Sequence, residues 1–584
     1  MESCDAALPY TLIGLVLRQP SPPHPGAASC PSRFLRDYAS RATNTLLWIC
    51  LISVTSLLCR RLARLVRLWV QGSRIPGPPS NPFLARSKLI PGCGSLGRLT
   101  GYLAELHEKY GPIVRLWLSP TQLLVSVKDT MLIKEVLIKA EDKLPLTGRA
   151  FHLAFGRSSL FVSSFEKVQK RRESLAEYMN GRIAVRANII PSEIVECVMG
   201  RVDTIMAKGT LDCGSVSQQL AFYILGSTLF GDAFLDWPKA SIYEKLLITI
   251  SKDGCFWASY TIPPFWSREY WKYKHMCKRL KHLTEDIIQH CVEKYDLLSK
   301  IGHSSYKDNK DIEDEVRFND SVLLDNMPSG VLLQEEMAEY LNSKEELCGN
   351  ILGLMFHGCL ATSSLISSIL TRLALHPELQ QKLYAEIIAV QEKTCKLDSD
   401  DVQKMNLLMA TVYESARLLP AGPLLQRCSL EHDIYLCSGV NVPAGAIMVV
   451  PLQLVQMDSY IWGKDASRFN PLRFLSEATD HIGTHKKYED FEKSAFLSEP
   501  KRKAAFLPFG YGTRACIGEK FATLGISTLI ASLLQNYEIK LQPGSENDPK
   551  PIMSDCVLQQ LLSSPEVVFA KRSKRKTWKS KGSS

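Results

Sequence analysis

Seventeen cysteines are spread through the 584 residues, but one of them sits in an unusual frame. The stretch Pro508 to Glu519, PFGYGTRACIGE, surrounds Cys516 with Phe509, Gly512, Arg514 and Gly518. A thiolate that ligates a metal must stay deprotonated, and a helix N-terminus favours that state through its positive backbone dipole. The run EKFATLGISTLIASLLQNY starts just past Cys516 and has the composition of a long, largely buried helix. Gly512 allows a tight turn that brings N–H groups toward the sulfur, and Gly518 has no side chain to hold a flat ligand away. Arg514 can pair with an acidic group on such a ligand, and Phe509 can shield the sulfur. Together these residues suit a dry iron–thiolate bond. The other cysteines form no Cys-x-x-Cys pair and no regular spacing, which fits a reducing compartment better than a disulfide framework or a zinc site.

The turn resembles the haem-binding loop of the cytochrome P-450 superfamily, Phe-x-x-Gly-x-Arg-x-Cys-x-Gly, and matches all five fixed positions. Further matches follow in the family's order. Glu414 and Arg417 of ESAR lie at i, i+3 on one helix face, and Phe469, Pro471 and Arg473 of FNPLRF match Phe-x-Pro-x-Arg-Phe. The segment MDSYIWGKDASRF is also similar to eukaryotic members. The resemblance implies that Arg473 joins Glu414 and Arg417 in a buried structural triad, and that Arg427 pairs a haem propionate. It implies haem b as cofactor, with Cys516 as axial iron ligand and Phe509, Gly512, Arg514, Gly518, Arg427 and Arg172 around it. One departure lies in FEKVQKRRESL: the family's Trp-x-x-x-Arg becomes Val168 with Arg172, and the adjacent Arg171 is a second candidate.

A second departure concerns proton delivery. The family's central helix reads Ala/Gly-Gly-x-Asp/Glu-Thr-Thr/Ser, and the acid and first threonine pass protons into the site. Here it reads LMFHGCLATSSL, which keeps Gly358 but places Leu360 at the acid and Ala361 at the alcohol. A register shifted by one residue restores Thr362 as the alcohol and leaves Ala361 at the acid. Thr362 and His357 are therefore the candidate catalytic residues, His357 because imidazole titrates near neutrality; a packed core histidine is the competing reading. Three functions follow. One is a monooxygenase that inserts one atom of O2 into a lipophilic small molecule, with electrons from NADPH through NADPH–cytochrome P-450 reductase and cytochrome b5 as a further candidate partner. The second is an isomerase or dehydratase acting on a hydroperoxide-type substrate without reductase. The third is a haem-binding protein without turnover. The unaltered cysteine loop favours the first.

The elements that must position these residues are mostly helical. GYLAELHEKYG has helical apolar spacing and a closing glycine, followed by two strand-like runs, PIVRLWLS and TQLLVSVK. Helical stretches cover 215–230, 275–300 and 335–392, and strands cluster over 428–453. The expected fold is mainly α with small β-sheets, a single large haem-thiolate domain behind an N-terminal membrane helix.

Residues 1–41 form an unassigned extension and 42–59, ATNTLLWICLISVTSLLC, a charge-free membrane anchor of about 27 Å. Residues 60–82 form a basic flank and a proline-rich hinge, expected to be stiff and poor at docking. The catalytic domain is 83–570, and 571–584 is a basic disordered tail. Arg60, Arg61, Arg64 and Arg67 follow the anchor, so the body is expected to face the cytosol from the endoplasmic reticulum membrane. The formal charge is +10, but seven basic residues lie in the tail. Without them the balance is +3, and the body has no nucleic-acid signature. The glycine pattern GCGSLG at 92–97 has no strand before it and is not read as a nucleotide loop. The charged stretches Lys307–Asp325 and Ser476–Lys503 read as surface insertions. The aromatic segment 255–273 resembles, by position, the family's pocket roof and membrane-dipping segment.

Overall fold

The computed structural model describes residues 31–79, 96–142, 148–156, 159–162, 164–186, 211–230, 232–259, 265–304, 344–391, 399–422, 424–475, 504–542 and 565–572. The two expected insertions, residues 1–30, most of GCGSLG and residues 573–584 of the basic tail lie outside them. The chain divides into two compact units, residues 1–70 and 71–584.

In the first unit the helix α1 (Pro31–Ser73) is one continuous rod that includes the charge-free run. Within Tyr38–Ser73 an 18-residue stretch has a mean hydropathy of 1.7 and is not buried, with Leu47, Trp48, Ile52 and Leu58 all exposed. It is long and apolar enough to cross a bilayer.

Among its described residues the second unit is mostly helical with three small sheets. It opens with α2 (Leu96–Tyr110), which Gly111 closes at φ 97°, then β1 (Ile113–Ser119) and β2 (Gln122–Val127). There follow α3 (Thr130–Lys139), capped by the Asp129 carboxylate, α4 (Gly148–Phe155) and α5 (Phe165–Arg186). The strand β3 (Leu211–Asp212) leads into α6 (Cys213–Phe230), α7 (Ala240–Ser259) and α8 (Arg268–Ser304). The central helix α9 (Lys344–Leu375) is cut from α10 (Pro377–Gln391) at His376, because Pro377 can start a helix but cannot continue one. After α11 (Asn406–Leu418) come β4 (Leu424–Arg427), the β5–β6 hairpin (Ile434–Tyr435, Asn441–Val442), β7 (Ile447–Pro451) and α12 (Leu452–Gln456). The last described elements are α13 (Glu519–Asn536), β8 (Tyr537–Leu541) and β9 (Glu566–Lys571).

The main sheet has the order β1-β2-β7-β4, with β2 and β7 parallel and the other pairs antiparallel. A second sheet has the order β3-β9-β8. The helix α9 is apolar along its length, and its two halves serve two different cores. Ile351, Leu352, Phe356 and Leu360 join a core with α4, α6, α7 and α8, while Ile366, Ile369, Leu370 and Leu373 join another with α10, α11 and α13. A helix apolar all round must be a core helix.

The hinge departs from expectation. Far from docking poorly, it is fastened to β1. Arg115 N–H donates to the Pro76 carbonyl at 2.7 Å, and its guanidinium donates to the carbonyls of Ser73 and Ile75 at 2.7 and 2.5 Å. Proline lacks a donor but keeps its acceptor, so a proline run can still be held by an arginine. A Cβ on Gly77 would lie 2.6 Å from the Arg115 carbonyl oxygen, so only glycine permits this approach.

Candidate active site

Cys516 lies between a 3-10 turn, Gly512–Arg514, and the first turn of α13. The loop folds on itself locally: Gly510 N–H donates to Leu507 O at 3.0 Å, and Cys516 N–H donates to Phe509 O at 2.8 Å. Gly510 and Gly512 have φ of 78° and 75°, a conformation that side chains disfavour. Gly512 has a second constraint. A Cβ there would sit 2.6 Å from the carbonyl oxygen of Leu137, in the last turn of α3. Gly512 is thus needed for contact with α3, while the Cys516 N–H is engaged by the Phe509 carbonyl. A Cβ on Gly518 would meet no protein atom within 4 Å, which leaves the loop open on that side. Cys516 is itself exposed.

Three buried arginines from three elements converge on this loop. Arg172 on α5 donates to the Ala515 carbonyl, and its charge is close enough to Cys516 for the two to interact. Arg427, at the end of β4, donates to Gln426 O at 2.9 Å and Arg514 O at 3.4 Å, and its buried Nε has no hydrogen-bond partner among the described residues. Arg514 donates to Glu141 O at 2.9 Å and lies 5.0 Å over the Phe165 ring. Burial, then the neighbouring guanidiniums, push Arg427 down to about 10; burial and Arg172 do the same to Arg514. Clustered cations with an unsatisfied buried donor are costly unless an anion lies among them. A haem, with two propionates and an open thiolate beside it, fits this donor set.

The two arginines left undecided by sequence separate cleanly. Arg172 turns to the cysteine loop, whereas Arg171 forms an ion pair with buried Glu346 at the start of α9. Val168, where the family has tryptophan, is buried against Leu160, Leu175 and Ile517, the residue after Cys516.

Glu414 and Arg417 are wholly buried and form a two-point pair at 2.7 and 2.8 Å on α11. Arg473 Nε lies 3.6 Å from Glu414, so the structure brings all three together. Its firmer bonds go to Asp465, at 2.7 Å, and the Trp462 carbonyl, at 2.7 Å. Asp465 and Glu346 were not picked out from sequence, since neither belongs to a motif and only the fold brings them to their arginines.

On α9, Leu354, His357, Gly358 and Ala361 are the only half-buried positions between Gly349 and Thr371, at the spacing of one helix face. Leu360 points instead into the apolar core, and Thr362 is buried beside Ala361. The His357 ring stacks on Phe161 at 5.2 Å and meets the edges or faces of Phe151, Phe155 and Phe356 within 5.8 Å. Neither register places a carboxylate on the half-buried face.

Among known proteins, the cytochrome P-450 family model matches residues 75–566. Cytochrome P-450 72A397 of Kalopanax septemlobus is 23% identical over 482 residues, covering 78% of this chain and 81% of that protein. Probable cytochrome P-450 313a1 of Drosophila melanogaster is 23% identical over 483 residues, 81% of this chain and 89% of that protein. Cytochrome P-450 78A3 of Glycine max reaches 35% identity over 185 residues, 32% of each chain. With a cysteine turn ringed by arginines, a buried glutamate–arginine cluster and a family match over most of its length, the chain belongs to the cytochrome P-450 family and is a haem-thiolate monooxygenase.

Proposed function

We propose that the protein oxidises a lipophilic small molecule with one atom of O2, using electrons that NADPH delivers through NADPH–cytochrome P-450 reductase, with cytochrome b5 as a second donor. The observation that carries this reading is Cys516 beside three buried, converging guanidiniums. Haem b bound there supplies iron-centred transfer of oxygen. Cys516 would ligate its iron, Arg172, Arg427 and Arg514 would hold its carboxylates, and the bare Gly518 and the Phe509 turn would leave room for it. Glu414, Arg417 and Arg473 fix the scaffold beneath and touch no substrate.

The half-buried face of α9 borders the substrate chamber. With Leu360 and Ala361 where an acid and an alcohol usually stand, protons enter through Thr362 or His357. Residues 42–59 anchor the chain in the endoplasmic reticulum membrane with the body, 83–570, in the cytosol, and exposed Phe265, Trp266 and Trp271 suit a membrane-facing surface. Residues 60–82 connect the two, and 571–584 form a basic tail.

The test is a reduced carbon-monoxide difference spectrum followed by NADPH consumption with purified reductase across a panel of lipophilic compounds. A thiolate-type spectrum with reductase-dependent oxygenated product supports the proposal. Turnover of a hydroperoxide with no reductase present would replace it with the isomerase reading.

A further inference from the structure

One buried side chain joins the glutamate–arginine cluster to the cysteine turn. Gln456, the last residue of α12, has no exposed surface. Its Nε2 donates to the Arg417 carbonyl at 2.7 Å, and its own carbonyl accepts from Arg417 Nη1 at 2.6 Å. Its Oε1 accepts the Leu507 N–H at 2.9 Å. Leu507 is buried as well, and its carbonyl receives Gly510 N–H in the turn that leads to Cys516. Pro508 has no N–H, so the Leu507 donor is the last one available before Phe509, whose carbonyl holds the Cys516 N–H. An unbroken line of hydrogen bonds therefore runs from Glu414 through Arg417, Gln456 and Leu507 into the loop.

We infer that Gln456 is a positioning residue for Cys516: it fixes where the chain enters the cysteine turn and thereby holds the sulfur in place for the iron. This rests on the reading of Cys516 as the thiolate ligand. Removing the acceptor would leave a buried donor unpaired, and the entry strand would gain freedom to shift the turn. The internal control is Gln380 on α10. It too is a buried amide bonded to main chain, donating to Ile539 O at 2.9 Å and Leu373 O at 3.2 Å and accepting from Ile539 N–H at 2.8 Å, but it ties α10 to β8 and to the end of α9.

The experiment follows the ferrous carbonyl spectrum of the full-length holoprotein over time, with thermal unfolding measured in parallel. Gln456→Met should convert from the thiolate-type to the non-thiolate spectrum about tenfold faster than wild type. Gln380→Met should lose thermal stability while its thiolate signature persists as in wild type. Equal lifetimes for Gln456→Met and wild type, or equal shortening in both variants, would overturn the inference. If Gln456→Met gives no holoprotein, Gln456→Glu decides, since it keeps the acceptor for Leu507 and loses the amide donor to the Arg417 carbonyl. Its thiolate lifetime must then match wild type even if its melting temperature falls, and a shortened lifetime would overturn the inference. A wild type without a thiolate-type spectrum would refute the reading of Cys516 itself, a result distinct from any difference among variants.

Discussion

At the scale of single residues, chemistry concentrates on Cys516 and on what is missing opposite it. Cys516→His should abolish the thiolate-type carbonyl spectrum while leaving a haem site flanked by Arg172, Arg427 and Arg514. An unchanged spectrum would refute the ligand assignment. On α9, Leu360 belongs to the apolar core and Ala361 to the half-buried face, so the proposed proton path has no carboxylate at either position. Oxygen reduction should then leak, with part of the NADPH appearing as peroxide. Leu360→Asp with Ala361→Thr tests this through product formed per NADPH consumed, which should rise if the new carboxyl finds a polar partner. Because Leu360 is buried, the same change also carries a desolvation cost. Ala361→Thr alone, on the half-buried face, should therefore give the cleaner gain, and no gain in either variant would point to His357 or Thr362.

Helices decide how those residues are held. The α11 helix carries Glu414 and Arg417 at i, i+3, and its N-terminus is capped by Glu386 of α10, whose carboxylate accepts the N–H groups of Leu407 and Leu408 at 2.9 and 3.0 Å. Removing one partner of a buried charge cluster typically costs about 3–5 kcal/mol, so Glu414→Ala should yield little folded holoprotein. Normal haem content with selectively lower turnover would contradict a structural role.

Glu386 makes a pH prediction. Burial raises its carboxyl to about 7, against 4.5 when exposed. The folded state then holds a proton that the unfolded state has lost, so the stability associated with it is full below about pH 4.5 and declines as pH rises through about 7. Relative to Glu386→Gln, wild type should lose roughly 3 kcal/mol across that window. Parallel melting curves for the two proteins between those limits would contradict it.

The whole molecule divides at Val70, and the division gives a truncation test. Deleting residues 1–70 should leave a haem-loaded and more soluble body. Deleting 1–79 also removes the carbonyls of Ser73, Ile75 and Pro76 that Arg115 holds. Hydrogen bonds to a charged donor contribute about 1.5–3 kcal/mol each at most, so the longer deletion should melt several degrees lower than the shorter one. Equal melting temperatures would show that the hinge is a passive spacer. Protection of the body from protease in intact microsomes would sink the proposed cytosolic orientation.

Sequence alone determined what local constraints enforce. The cysteine turn is legible because its five fixed residue types stand at set offsets within ten residues, although Gly512 and Arg514 meet Leu137 and Glu141 far along the chain, and α2, β1 and β2 are legible because their periodicity is intrinsic to the chain. The glutamate–arginine pair on α11 is legible for the same reason, since i, i+3 spacing is enough to make it. Tertiary structure decided whatever depends on partners distant along the chain. Arg171 and Arg172 are adjacent and chemically identical, and only the helical rotation of α5 between α9 and the cysteine loop sends one to Glu346 and the other to Ala515. The hinge reads as a spacer until Arg115 is seen across from it. Gln456 is an unremarked glutamine until Leu507 and Arg417, 51 and 39 residues away, close on its two ends. A side-chain amide carries no local signature of its bonds, because its donors and acceptors are satisfied only once the fold has brought the chain together.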